Sequence, residues 1–141
     1  MNTLETTRAF FDRYRRHDVD AMVELFATNG TIDYVPAGVA GPASEAGRAI
    51  WSALIDAFPD LTNDVTAIYV GDHGRIVTAE VTIGGTQAKD AFGIKNQGLS
   101  YSLPHVFIVH GNEDGEIIAM KAYWDNASWY TSLGRTNLNL C

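Results

Sequence analysis

Residues 75–87 read RIVTAEVTIGGTQ, and the spacing of their apolar side chains decides the fold. Val77, Ala79, Val81 and Ile83 alternate with Thr78, Glu80 and Thr82, a period of two that predicts a long strand with one buried face and one wetter face. Upstream the period is different. Ala46, Ile50, Trp51, Leu54, Ile55 and Phe58 recur every three or four residues, the stripe of a helix, with Ser44 placed to cap it and Pro59 to stop it. The change of period divides the chain into a helical front and a stranded rear, which is the signature of an α+β fold.

Outward from residues 75–87 the same logic continues. A strand over 64–70 precedes them across the turn Gly71-Asp72-His73-Gly74, and strands over 99–110 and 116–125 follow, joined by a turn at 112–115. Gly84-Gly85 inside the long strand suggests a bulge or a sharp bend. Towards the N-terminus, Thr3 is placed to cap a first helix carrying Phe10, Phe11 and Tyr14. Asp18 is placed to cap a short second helix presenting Met22, Val23, Leu25 and Phe26, which Asn29-Gly30 ends. A short strand over 31–35 stops at Pro36, and Gly38, Gly41 and Pro42 mark a loop. A strongly bent antiparallel sheet wrapped over helices leaves a cavity between the layers, where ligands bind.

The 141 residues fit one domain, 1–141. A net charge of −7 argues against nucleic acid or an anionic membrane surface as partner, since both require clustered Lys and Arg. Arg13, Arg15 and Arg16 share their helix with Asp12 and read as a solvated face. The single cysteine, Cys141, is the last residue, so no internal disulfide is available and a terminal thiol makes a poor nucleophile. No signal peptide and no apolar run long enough to span a membrane is visible, so a cytoplasmic location is expected by default.

The motifs exclude several chemistries. His17, His73, His105 and His110 are scattered, and no ligand spacing of the zinc type occurs. There is no GxGxxG, no Walker lysine and no GxSxG elbow. What remains are polar residues set among apolar ones. Asp125 stands between Tyr123, Trp124, Trp129 and Tyr130; His105 heads Val106-Phe107-Ile108-Val109; Gln87 and Asp90 follow the long strand; Asp33 adjoins Tyr34. A carboxylate in a dry aromatic pocket has its pKa raised towards neutrality, which suits proton transfer. Asp125 is equally well placed to cap a helix from Asn126 onward, and His105 fits a structural role as well as a chemical one.

The segments GGTQAKDAFGIKNQGLSYSLPHVFIV and DGEIIAMKAYWDNASWYTSLG together resemble SnoaL-like polyketide cyclases (ester cyclases) of the nuclear transport factor 2-like superfamily. Gly85-Thr86-Gln87, Phe92-Gly93-Ile94, Gly98, Asp114-Gly115 and Trp124-Asp125 occupy the places of that family's pattern, and FFDRYRRHDVDAMVELFATNGTIDY resembles its opening helices and first strand. The resemblance implies a cone of three N-terminal helices on a curved, mostly antiparallel sheet, a homodimer through the outer sheet face, and an apolar pocket for a small oxygenated ligand. It implies no cofactor and no metal. It implies Asp125 as acid or base with His105 as its companion, Gln87 as a hydrogen-bond donor to substrate, and Tyr34, Trp51, Phe58, Tyr101 and Trp124 as pocket wall. Cyclisation, isomerisation and lyase chemistry all suit such a site, and so does ligand binding without chemistry. Ketosteroid isomerase activity is disfavoured, because Phe10 and Tyr34 stand where that enzyme needs a tyrosine donor and an aspartate base. A limonene-type epoxide hydrolase would find its aromatic-Asp pair in Trp124-Asp125 but lacks its Arg-x-Asp.

Overall fold

The structure, a computed structural model, describes residues 1–138; Cys141 lies outside the described residues. Helix α1 (Thr3–Arg15) is capped by Asn2 and not by Thr3. The Asn2 side chain accepts from the Glu5 N–H at 2.8 Å while the Glu5 carboxylate accepts from the Asn2 N–H at 3.0 Å, so two otherwise orphaned amides are satisfied reciprocally. Thr3 is instead buried against Gly111, where any side chain would collide with it. His17 adopts a left-handed φ of 58° and breaks the helix. Asp18 then caps α2 (Val19–Val23) by accepting from the Ala21 N–H at 3.1 Å, as its position suggests.

Asn29-Gly30 does not end a helix but lies within β1 (Phe26–Tyr34). Gly30 is required there by proximity, since a Cβ would come 2.5 Å from the Ile117 carbonyl. A tight turn over Val35–Ala37 leads to β2 (Val39–Pro42), an edge strand so short and Gly/Pro-rich that it reads as a loop in the sequence. A single π turn, Ala43–Gly47, feeds α3 (Arg48–Ala57). Ser44 makes no cap, because the chain enters α3 already coiled and the Arg48 N–H reaches the Ala43 carbonyl.

Strands β3 (Thr62–Gly71), β4 (Ile76–Thr86), β5 (Ser100–Gly111) and β6 (Ile117–Trp124) form an antiparallel meander. The last strand also pairs in parallel with β1, giving the order β2-β1-β6-β5-β4-β3. Register runs unbroken through Gly84-Gly85; the bulge lies in β3, between Val65 and Ala67. Close approach explains the two glycines. A Cβ on Gly84 would sit 2.5 Å from the Tyr101 carbonyl, and one on Gly85 3.0 Å from the Phe58 Cβ. After β6 the chain forms a last helix, α4 (Asn126–Ser132).

The sheet curls around α1 and α3. Val77, Ala79, Val81 and Ile83 are all buried on its inner face. Phe10 is fully buried and meets Phe11, Trp51 and Phe26 edge-on at ring separations of 5.1, 5.5 and 6.2 Å, the geometry ring quadrupoles favour. Truncating such a ring to Ala costs about 3–5 kcal/mol. Among the described residues no helix is long and apolar enough to cross a membrane.

Candidate functional site

The aromatic core does not fill the whole interior. Beside it lies a narrow cavity of about 30 Å³, room for a water or two. Strand alternation builds its floor. Tyr101, Leu103, His105 and Phe107 of β5 all point inward, and β5 register sets His105 between Val81 of β4 and Trp124 of β6. Tyr34 comes from the end of β1 and Tyr14 from α1, one turn beyond Phe10 on the same face.

His105 is 8% exposed, and its Nδ1–H donates to the Leu103 carbonyl at 3.0 Å. A carbonyl only accepts, so this contact fixes the tautomer and leaves Nε2 as a bare lone pair. Burial pushes the His105 pKa down to about 4, partly opposed by the Leu103 contact, so the ring is neutral at physiological pH. The imidazole is held flat against Trp124, at 5.3 Å and 28°.

Three phenols line the same cavity. Burial raises the pKa values of Tyr34, Tyr101 and Tyr14, and for Tyr14 the nearby Tyr34 and Tyr101 add to the effect, so all three remain protonated donors. The Tyr34 oxygen accepts from the Trp51 indole N–H at 2.7 Å, which directs its own proton elsewhere. The Trp129 indole N–H approaches the Tyr101 hydroxyl, moderating its shift, yet completes no hydrogen bond and is left buried and unpartnered. No carboxylate lines the cavity among the described residues. Its chemistry is therefore one neutral acceptor facing neutral donors in a dry aromatic setting.

Of the expected site residues, His105, Tyr34, Tyr101 and Trp124 line this cavity. Trp51 and Phe58 stand directly behind it, Trp51 bonded to Tyr34 and Phe58 edge-on to Tyr101 at 5.1 Å. Two expectations are corrected. Gln87 is buried but points away from the cavity, donating from Nε2 to the carbonyls of Ile94 at 2.8 Å and Lys89 at 3.0 Å. Its amide holds the β4–β5 connection together, and its Oε1 has no partner. Asp125 is exposed and caps α4, accepting from the Ser128 N–H at 3.1 Å and the Ser128 hydroxyl at 2.9 Å. Those bonds hold its carboxyl below the usual carboxylate range, the opposite of what a dry pocket would do. The alternation of β6 ends at Trp124, which faces in, and the chain turns at the next residue. Asp90 is likewise exposed and ties the same connection by accepting from the Asn96 N–H at 2.7 Å.

Tyr14, Phe107, Phe92 and Trp129 also line the cavity, beyond the residues expected from sequence. Phe107 was legible as the i+2 neighbour of His105, and Tyr14 as the i+4 neighbour of Phe10. Outside the cavity mouth lies a wider apolar cleft of about 390 Å³, between Val39, Ala46 and Ala49 on one side and Asn126 and Tyr130 on the other. No group of three or more His, Cys, Asp or Glu that could hold a metal ion occurs among the described residues.

Comparison with known proteins agrees with this architecture. The sequence profile of the SnoaL-like domain matches residues 7–120, a span that ends before Asp125 and α4. A candidate polyketide cyclase from Xanthomonas campestris pv. campestris superposes with a TM-score of 0.81 at 20% identity, covering 94% of this chain and 96% of that one. IdmH, a candidate polyketide cyclase from Streptomyces antibioticus, gives a TM-score of 0.80 at 20% identity, covering 95% and 99%. A Catenulispora acidiphila protein with a ketosteroid isomerase-like fold, solved with trimethylamine, gives 0.78 at 20% identity, covering 94% of each chain. At such identities these likenesses establish the α+β nuclear transport factor 2-like fold and nothing finer. No curated protein matches the sequence.

Proposed function

The chain belongs to the SnoaL-like family, and from that premise we propose that it is a small-molecule enzyme of the cyclase or isomerase type, working by proton transfer next to a carbonyl. One observation carries this reading: His105, whose Nε2 has no hydrogen-bond partner, lines the same cavity as three protonated tyrosines. In this reading the substrate is an apolar, oxygenated molecule lying in the outer cleft with its carbonyl reaching inward. Tyr14 and Tyr101 donate to the carbonyl oxygen, more strongly as it becomes an enolate. His105 Nε2 removes the proton from the adjacent carbon, and the enolate and imidazolium stabilise each other in the dry cavity. Where the substrate carries a β,γ double bond, return of the proton to the γ-carbon of the dienolate gives isomerisation. Attack of the enolate on a second carbonyl, with the new alkoxide taking the proton back from His105, gives cyclisation. Phe58 packs on the donor Tyr101, and Trp51 holds Tyr34, the third phenol of the wall. The role once expected of Asp125 passes to His105, and no cofactor enters the steps.

A substrate-independent test is hydrogen–deuterium exchange at the α-carbon of cyclohexanone in D₂O, followed by NMR. The protein should accelerate exchange, and His105→Gln should remove at least ~100-fold of that acceleration, the usual share of a general base. Tyr14→Phe should lower it without abolishing ketone binding. Ketone that binds without faster exchange would leave the second reading, a binding protein without chemistry. The low pKa of His105 and the placement of Asp125 outside the cavity favour that alternative.

The family also suggests self-association through the outer sheet face. Tyr123 and Ile118 of β6 and Tyr69 of β3 are exposed, and Val106 and Ile108 of β5 share the outward rows with them.

A further inference from the structure

The inner cavity and the outer cleft meet at a neck. Ala37, Ile50, Phe92 and Trp129 line both, so these four residues stand between about 30 Å³ inside and about 390 Å³ outside. Ligand sites in proteins run to roughly 300 Å³ or more, so the inner end is too small for a substrate body while the outer cleft has room for one. Three of the four neck residues are held by regular packing. Ile50 sits in α3, Trp129 in α4, and Ala37 in the short turn after β1.

Phe92 differs. It lies in the long connection between β4 and β5 and has a left-handed φ of 55°, followed by Gly93 at 70°. Two consecutive positive φ values, with paired bonds between Ala91 and Ile94 at 3.2 and 2.8 Å, make a two-residue turn of the mirror-image type. Glycine accepts that conformation freely. A phenylalanine does not, and its strain persists only where surrounding contacts over-determine it. Those contacts are visible. Gln87 donates to the Lys89 and Ile94 carbonyls on either side of the turn, the Ala88 N–H bonds to the Ala57 carbonyl at 2.8 Å, and Lys89 pairs with Asp56 at 2.6 Å. The Phe92 ring itself is only half-buried and packs on Trp129 at 5.5 Å. An unfavourable backbone state is thus used to hold a half-buried ring at the neck, at the edge of the core.

We infer that Phe92 is a specificity-determining residue that sets the width of ligand able to reach the polar inner end, and that Gln87 is the positioning residue holding it there. This rests on the ligand-site reading of the cavity and deepens it. A single ring comes up to Phe92 from the outer cleft and sends only its carbonyl or hydroxyl past the neck. A fused second ring is stopped in the outer cleft.

The test compares phenol with 2-naphthol, neutral probes at pH 7 that differ by one fused ring, titrated against the full chain by tryptophan fluorescence and by the Trp129 indole N–H resonance. Phe92→Asn removes the ring but keeps a residue tolerant of the left-handed turn, and Phe92→Ala removes it without that tolerance. Both should raise affinity for naphthol relative to phenol by roughly tenfold, the scale on which pocket volume discriminates. Phe92→Trp should lower the same ratio. Gln87→Leu should move it in the direction of Phe92→Asn, whereas a merely structural Gln87 would change stability and leave the ratio alone. If all the proteins bind both probes with an unchanged ratio, Phe92 selects nothing, and the ligand-site reading survives without it. If none binds either probe, that reading fails and this inference with it.

Discussion

His105 couples the site to pH with a definite sign. Its imidazole stays neutral in the folded protein down to about pH 4, while in the unfolded chain it takes up a proton near pH ~6.5. Stability from this group is therefore fully present above ~6.5 and is lost as pH falls towards 4, by about 3 kcal/mol in all. Denaturant midpoints between pH 7.5 and 4.5 should fall less steeply for His105→Gln than for the parent protein. Asp125 behaves in the usual carboxylate sense: its contribution is present above the ordinary carboxylate pKa and declines as pH drops through the lowered folded value. Asp125→Ala should fray α4 and lower thermal stability, while Asp125→Asn, still a good N-cap, should change little; neither should alter ketone exchange. Sequence could bring one to Asp125 because an acid among four aromatics is conspicuous. It could not show that β6 stops at Trp124, and one residue of extension decides between a cavity wall and solvent. His105 was better specified, since inward and outward positions on a long strand alternate without exception from Tyr101 to Phe107.

Among the elements, the π turn before α3 constrains the site most tightly. It brings Gly47 against the fully buried Trp51 ring, where an added Cβ would lie 2.8 Å from the indole. The backbone of Gly47 is helical, so its requirement is space and not conformation. Gly47→Ala should push Trp51, weaken its 2.7 Å bond to Tyr34 and cost about 1–3 kcal/mol, readable as a lower thermal midpoint and a shifted indole N–H resonance. The main strands and α3 were legible because long amphipathic periods leave strong patterns. What escaped were features decided by neighbours distant in sequence: β2, visible only as the partner of β1; the cap at Asn2, with Thr3 taken up against Gly111; and Gly30, Gly84 and Gly85, whose reason is another chain segment passing close by.

At the scale of the molecule, the outer sheet face and the cavity are opposite sides of the same strands. Tyr123 faces out one residue before Trp124 faces in. If the protein self-associates through that face, Tyr123→Glu should shift its sedimentation towards the monomer while leaving the Tyr34–Trp51 bond intact, since the substitution adds charge on the wet side only. The parallel pairing of β1 with β6 has a different consequence, which concerns the order of events during synthesis. Phe26–Tyr34 emerges early and can form its hairpin with Val39–Pro42 at once, but its other edge has no partner until Ile117–Trp124 has been made. Contacts so far apart in sequence close slowly. A nascent chain halted before residue 117 therefore carries an open strand edge beside a half-built aromatic core. It is at that stage, and not in the finished fold, that the chain is most exposed to aggregation and in greatest need of a chaperone.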